Sequence, residues 1–207
     1  MEGRLTYLRT LLVDDCPSLT TLSLNIRHLT SLETLIIMDC KELSLMEVEG
    51  EDNQDLKLSL QKLMIVGLPK LEVLPQWLQG SANTLQLLLI KECENLKALP
   101  EWLPRLKSLH TLGILECPKL SSLPEGMEAL TTLRLLRIQG CPDLSRKCRE
   151  EDSHKIAHVP QIALEEDSGS SSSSSKEELQ CNLKRNEERC LFLTKTRLLF
   201  KMTEARS

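Results

Sequence analysis

The sequence predicts an α/β solenoid in which one short parallel strand and one return segment alternate along the chain. The first reason is a pattern of apolar positions, L-x-x-L-x-I-x-x-C-x-x-L-x-x-L, which residues 109–123 carry in full. The pattern recurs six times in full or in part, with first leucines at positions 8, 32, 60, 85, 109 and 133. The second reason is composition, because leucine makes up about a fifth of the chain and aromatic residues only 2%. The core must therefore be aliphatic.

The spacing of 24 to 28 residues between first leucines and the short strand in each copy are those of leucine-rich repeats. Six stacked repeats suffice to bury a continuous core. Residues 1–7 are too few to form a polar cap before the repeat that opens at Leu8, and terminal caps keep solenoids soluble. The expectation is a truncated chain, or one lacking a partner domain, that self-associates when it is expressed alone.

In each repeat the leucine and isoleucine of the L-x-I segment should point into the core, because side chains alternate along a strand. The residues between and beside them should face the concave surface. The position between the two buried residues forms the middle column, which is apolar in four successive repeats and runs Leu12, Ile36, Met64, Leu89, Gly113, Arg137. Burial under a neighbouring element is the alternative to an exposed binding patch here.

Two residues after the isoleucine lies the rim column, which runs Asp15, Asp39, Gly67, Glu92, Glu116, Gly140. A solvated face is the alternative to a functional one here. Together the columns predict a protein-binding face with Leu12, Ile36, Met64 and Leu89 as apolar anchors and Asp15, Asp39, Glu92 and Glu116 as a charged rim. Such a face suits an apolar partner with a basic rim, and Arg134 and Arg137 reverse the sign locally.

The remaining features read as structural. Residues 46–55 are predicted to form an acidic inserted loop, and their acids do not have the spacing of a calcium-binding loop. Trp77 and Trp102 occupy equivalent positions in their repeats and are predicted to pack on the convex side. Five of the eight cysteines hold one repeat position, which favours buried free thiols over disulfides. The group Cys141, Cys148, His154 and His158 fits no usual zinc-finger spacing.

The solenoid should end near residue 164, with Ile156, Val159 and Ile162 closing the core. The predicted organisation is a repeat domain over 1–164, an acidic and serine-rich linker over 165–175, and a charged tail over 176–207. The tail carries a capping-box start and early acids followed by basic residues, as a helix prefers. A docking helix and an irregular extension both remain open.

No catalytic or nucleotide-binding motif is present in the sequence, which has no phosphate-binding glycine loop, no nucleophile elbow and no H-E-x-x-H. The net charge of −4 and the lack of a basic face argue against nucleic acid, and no apolar run is long enough to span a membrane. The chain therefore reads as a non-enzymatic binding module that needs no cofactor.

Two features carry a family resemblance: the repeated C-P-x-L-x-x-L-P signature, as at residues 117–124, and the ending His-Lys-Ile-Ala-His-Val-Pro at 154–160. Residues 1–164 resemble the C-terminal repeats of plant nucleotide-binding leucine-rich-repeat immune receptors of the coiled-coil type. The resemblance implies a cytoplasmic module that restrains a nucleotide-binding module and helps to sense pathogen effectors.

The chain departs from this family, since it has no coiled coil, no nucleotide-binding module, and Ser153 where tryptophan is common. The partners implied are a pathogen effector, a guarded host protein or a receptor's nucleotide-binding module. The alternatives are a substrate-recognition repeat of an F-box ubiquitin ligase, and a truncated remnant with no activity of its own.

Overall fold

The computed structural model describes residues 7–22, 29–45 and 57–165. The chain divides into two units, Met1–Glu165 and Glu166–Ser207, and every described residue belongs to the first. The predicted acidic insertion and the charged tail lie outside the described residues, as does all but Glu165 of the predicted linker. For those segments the sequence predictions stand as predictions.

One parallel sheet organises the described residues, and its strands follow one another in chain order. They are β1 Thr10–Asp14, β2 Thr34–Met38, β3 Lys62–Val66, β4 Leu87–Lys91, β5 Thr111–Leu115, β6 Leu135–Gln139 and β7 Gln161–Leu164. The return segments contain 3₁₀ helices at Gln76–Ser81, Leu103–Arg105 and Met127–Ala129, and two α-helices follow β6, α1 Pro142–Arg149 and α2 Ser153–Ile156. The predicted leucine-rich-repeat solenoid is confirmed.

The register of the sheet aligns equivalent positions of successive repeats. Leu35 pairs with Leu63, which pairs with Leu88, and the same in-register pairing continues to β6. Since strand residues alternate between faces, one face of each strand from β2 to β6 presents its leucine and isoleucine to a single core, and Leu11 and Val13 of β1 pack against it. That core also contains Trp77 and Trp102, as predicted for convex-side packing.

Backbone hydrogen bonds also tie the repeats together where each strand begins. The carbonyl oxygen of Gln61 accepts from the backbone N–H groups of both Gln86 and Leu87, at 2.8 and 3.1 Å. The residue before each strand from β1 to β5 is bonded in the same way to the next repeat. These bonds fix the spacing of the repeats independently of their side chains.

The C-terminal end of the core differs from the prediction in two respects. The sequence pattern gave six strands, whereas β7 adds a seventh that pairs with β6, and α1 forms where the repeat pattern decays. Ile156 and Val159 close the core as predicted, but Ile162 is 37% exposed and does not. The reason is that Ile162 lies on the last strand of the described sheet, where no further repeat covers it.

A buried ion pair fastens this end to the preceding repeat. The ammonium of Lys155 lies 3.0 Å from Asp152 Oδ1 and 2.7 Å from Glu125 Oε1, and it donates to the Leu123 carbonyl at 3.3 Å. Burial opposes the charge on Lys155, but the hydrogen bonds to Glu125 and Asp152 outweigh it and raise the pKa of Lys155. Lys155 therefore stays charged although it is almost fully buried.

Candidate protein-binding face

The concave face consists of the first, third and fifth residues of each strand, which point away from the core, together with the rim column. The third residues are the predicted middle column, and register places Leu12, Ile36, Met64 and Leu89 side by side on β1 to β4. The structure therefore brings the four predicted apolar anchors together in one row.

Burial along this row differs from what an exposed patch would show. Ile36, Met64 and Leu89 are only 1%, 3% and 3% exposed, while Leu12 at the end of the row is half-buried. None of the first three belongs to the core cluster that contains their strand neighbours Leu35 and Ile37. They form an apolar floor on the other side of the sheet. That they contact a partner stays a prediction.

Half-buried apolar side chains flank this floor in the first and fifth strand positions. Met38 and Val66 are paired in register beside Ile36 and Met64, and Leu87 begins the strand that carries Leu89. These side chains retain accessible surface that the floor lacks. They are the apolar groups on this face that a partner reaches first.

The residues of the rim column share a backbone conformation that the repeat pattern did not predict. All six members adopt positive φ: Asp15 (48°), Asp39 (52°), Gly67 (63°), Glu92 (54°), Glu116 (52°) and Gly140 (66°). This left-handed region costs an L-residue about 1–2 kcal/mol, and among side chains it favours Asn and Asp over Glu. Glycine at two of the six equivalent positions was the sequence signal that could have revealed the turn.

The left-handed residue extends the ladder of the sheet by one rung. Its backbone N–H donates to the carbonyl oxygen of the last strand residue in the next repeat. The donor and acceptor residues are Asp15 and Met38 (3.2 Å), Asp39 and Val66 (3.0 Å), Gly67 and Lys91 (2.9 Å), Glu92 and Leu115 (2.9 Å), and Glu116 and Gln139 (2.8 Å). The rim carboxylates are therefore held at fixed intervals on an ordered backbone.

The final rung is made differently. The backbone N–H of Gly140 donates to Oε2 of the Glu165 side chain at 2.8 Å, where earlier repeats use a backbone carbonyl. The Glu165 N–H in turn donates to the Ile138 carbonyl at 3.1 Å, and its own carbonyl accepts from the Arg149 guanidinium. Glu165 thus satisfies the edge of the ladder and adds one more carboxylate to the rim.

Two of the rim acids lie against glycines of the next repeat. A Cβ added to Gly67 would collide with Asp39 Oδ1, and one added to Gly140 would collide with the Glu116 carboxylate. Those side chains therefore lie over the neighbouring turn. Glu92 instead has a cationic neighbour on its own strand, with its Oε1 3.1 Å from Lys91 Nζ.

The two arginines of the predicted site occupy other columns than the acids. Arg137 aligns with Gly113 in the middle column, and its guanidinium donates to Gln139 Oε1 at 2.7 Å. Arg134 directly precedes β6 and so lies at the opposite end of the strands from the rim. Both arginines place positive charge in the last repeat of the face, outside the acidic column itself. Arg134 therefore lies at the amino-terminal edge of the strands, and Arg137 lies in the middle of the face.

The cysteines lie on the core side of the turn, behind the rim column. Cys40, Cys93, Cys117 and Cys141 are fully buried, Cys16 is half-buried, and all are free, as predicted. Each thiol contacts the carbonyl of the residue two before it, at 3.2–3.4 Å. Within the described residues no group of three or more His, Cys, Asp or Glu side chains is arranged to hold a metal ion.

The buried thiols also interact with each other. A hydrogen bond from Cys117 lowers the pKa of Cys93. Cys141 favours the Cys117 thiolate, but the hydrogen bond with Cys93 and burial outweigh this and raise the pKa of Cys117 to about 12. The hydrogen bond with Cys117 and burial raise the pKa of Cys141. Burial favours the neutral thiol over the charged thiolate. The cysteines of this column therefore pack as small apolar groups.

The described helices include none that is long and apolar enough to cross a membrane. The family model for plant disease resistance protein RPS2-like leucine-rich repeats matches residues 2–118, more than half of the chain. The chain belongs to this family. No curated protein matches it. Membership of the RPS2-like repeat family agrees with the resemblance to plant disease-resistance repeats seen in the sequence, and the matched residues contain strands β1 to β5.

Proposed function

We propose that this RPS2-like repeat domain is a non-enzymatic protein-interaction module of plant defence, and that it binds its partner through the concave face. The observation that supports the proposal is the exposure of the rim acids Asp15, Glu92 and Glu116 beside an apolar floor. The parallel register holds both features in straight rows across successive repeats.

The partner we propose is the nucleotide-binding module of a resistance receptor, in the cytoplasm, which the repeats would hold in its inactive state. A pathogen effector or a guarded host protein would compete for the same face. Rim acids in this arrangement favour a partner that presents basic groups around an apolar centre. The acids would mainly set the rate of association and the choice of partner, because exposed charges contribute less to affinity.

The test is a pull-down of the purified full chain against a nucleotide-binding module from a full-length relative. The variant Glu92→Lys/Glu116→Lys reverses two exposed acids, of which Glu92 lies beside Lys91 on its own strand. The control Glu101→Lys/Glu128→Lys makes the same change in net charge at exposed positions in the return segments. Circular dichroism confirms that both variants keep the wild-type fold.

We expect the rim variant to bind about tenfold more weakly than wild type and the control variant to bind like wild type. Equal loss in both variants would show that net charge alone governs the interaction. Unchanged binding by a folded rim variant would exclude the rim from the interface and refute this part of the proposal.

A further inference from the structure

The last strand of the described sheet, β7, has an inner edge that pairs with β6 and an outer edge that pairs with no described residue. On the inner edge, the backbone N–H groups of Gln161 and Glu165 donate to carbonyl oxygens of the β6 repeat, at 3.0 and 3.1 Å. Successive residues of a strand direct their backbone groups to opposite sides, so Ile162 and Leu164 direct theirs to the outer edge. These N–H and C=O groups form a template for a further strand.

The side chains of Ile162 and Leu164 lie on the core side of the sheet. The register aligns them with Leu136 and Ile138, which both belong to the core. Leu164 packs against the core, whereas Ile162 keeps 37% of its surface exposed. The outer edge of β7 therefore combines outward backbone groups with an exposed apolar side chain.

A second copy of β7 fits this edge when it runs antiparallel to the first. A two-fold axis perpendicular to the sheet at Ala163 places Ile162 of each copy opposite Leu164 of the other. Both residues have outward backbone groups, so each such pair exchanges its two backbone hydrogen bonds, while the two Ala163 residues face each other at the axis. Moving the register by one residue would place core-side residues opposite concave-side ones.

The side chains that face each other in this register are complementary on both sides of the sheet. On the core side, Ile162 of each copy covers Leu164 of the other, an apolar cross-strand pair of the kind that stabilises sheets. On the concave side, Gln161 of each copy faces Glu165 of the other. Oε2 of Glu165 accepts from the Gly140 N–H at 2.8 Å, and Oε1 is the oxygen that the Gln161 amide would reach. No two like charges face each other along the strand.

We propose that β7 pairs with β7 of a second copy of this chain, antiparallel and about a two-fold axis, so that one sheet continues through both repeat domains. Because the axis is perpendicular to the sheet, the concave faces of the two copies lie on the same side. The contact is short compared with stable interfaces, which bury roughly 1,200–2,000 Å². The dimer is therefore reversible, and its population rises with protein concentration. This pairing is independent of whether the concave face binds a partner.

The first experiment measures the oligomeric state of the full chain by sedimentation velocity over a range of concentrations, in a reducing buffer. Wild type should change from monomer to dimer as its concentration rises. Ile162→Lys removes the apolar pair and puts a charge on the edge strand, so it should raise the dissociation constant about tenfold or more. The control Val73→Lys makes a similar change at another exposed apolar side chain, in a return segment, and should dimerise like wild type. Circular dichroism checks that both variants keep the fold.

The second experiment tests the register with Ala163→Cys. Facing residues at such a non-hydrogen-bonded position have Cα atoms about 4.5 Å apart, within the range that a disulfide spans. With oxidised glutathione, Ala163→Cys should form a covalent dimer whose linkage mass spectrometry maps to position 163 in both copies. Gln161→Cys faces Glu165 rather than itself and should form far less of a dimer linked through position 161. Wild type gives the background from the natural cysteines.

Two results would overturn the inference. A chain that stays monomeric at every concentration would show that no second copy occupies the edge, as when residues 166–207 of the same chain cover it. A dimer that Ile162→Lys does not weaken, and that Ala163→Cys does not link, would place self-association elsewhere on the molecule. Since neither experiment involves the nucleotide-binding module, both results leave the pull-down test of the concave face unaffected.

Discussion

Substituting alanine for Gly67 tests the left-handed rim and the contact between neighbouring repeats together. The φ of Gly67 is 63°, a conformation that costs an L-residue about 1–2 kcal/mol. Alanine restricts the unfolded chain and so returns about 0.4–1 kcal/mol, which leaves a net backbone cost of about 1 kcal/mol. The added Cβ also meets Asp39 Oδ1, and residues in contact couple by about 0.5 kcal/mol or more.

Gly67→Ala should therefore lower the free energy of unfolding by about 1–2 kcal/mol. The assay is urea denaturation followed by the fluorescence of Trp77 and Trp102, both of which are buried in the core. In the Asp39→Ala background the contact is absent, so Gly67→Ala should cost only the backbone part. The control is Gly80→Ala, in a 3₁₀ helix and without positive φ, which should leave stability unchanged or slightly higher.

The reasoning would be refuted in either of two ways. If Gly67→Ala is neutral or stabilising, the left-handed backbone is not required at the rim. If its cost is the same with and without Asp39, the carboxylate does not lie over the glycine. The first result bears on the fold and the second on the position of the acid.

Three further predictions concern the core and its C-terminal end. Leu88→Ala, at a fully buried position of β4, should lower the free energy of unfolding by about 2–5 kcal/mol, and Leu11→Ala, at a half-buried equivalent in β1, should cost clearly less in the same urea assay. Lys155→Met leaves the Asp152 carboxylate buried without its cation and should lower the free energy of unfolding by about 3–5 kcal/mol in urea denaturation. The double variant Lys155→Met/Asp152→Asn should recover most of that loss. If both variants lose the same stability, the ion-pair argument is contradicted. Burial raises the pKa of Cys148 to about 12, so its protonated thiol stabilises the fold fully below about pH 8.5, and this stability is lost as the pH rises towards 12. In Cys148→Ala the unfolding free energy should therefore decline less steeply over that pH range than in the wild type. An identical decline would exclude the thiol as its source.

The fold could be predicted from the sequence because its information is local and repeated. Leu88 and Ile90 are two residues apart and recur with the repeat, so their shared face follows from strand geometry alone. Recurrence at one repeat position likewise predicted that the cysteines point inward and that both tryptophans pack on the convex side. It failed where the repetition stops, since neither α1 nor β7 repeats an earlier pattern and, in the part of the chain that the structure describes, no next repeat covers Ile162.

The sequence by itself determined which residues share a row: the middle column, the rim column and the buried leucines all follow from position within the repeat. Only the tertiary structure decided how each row meets solvent and charge. In the structure Ile36, Met64 and Leu89 are buried, and the sequence could not show this because accessibility depends on neighbours that sequence spacing does not specify. The direction of the strands likewise put the acids and Arg134 at opposite edges, since parallel strands gather their carboxyl ends on one side of the sheet.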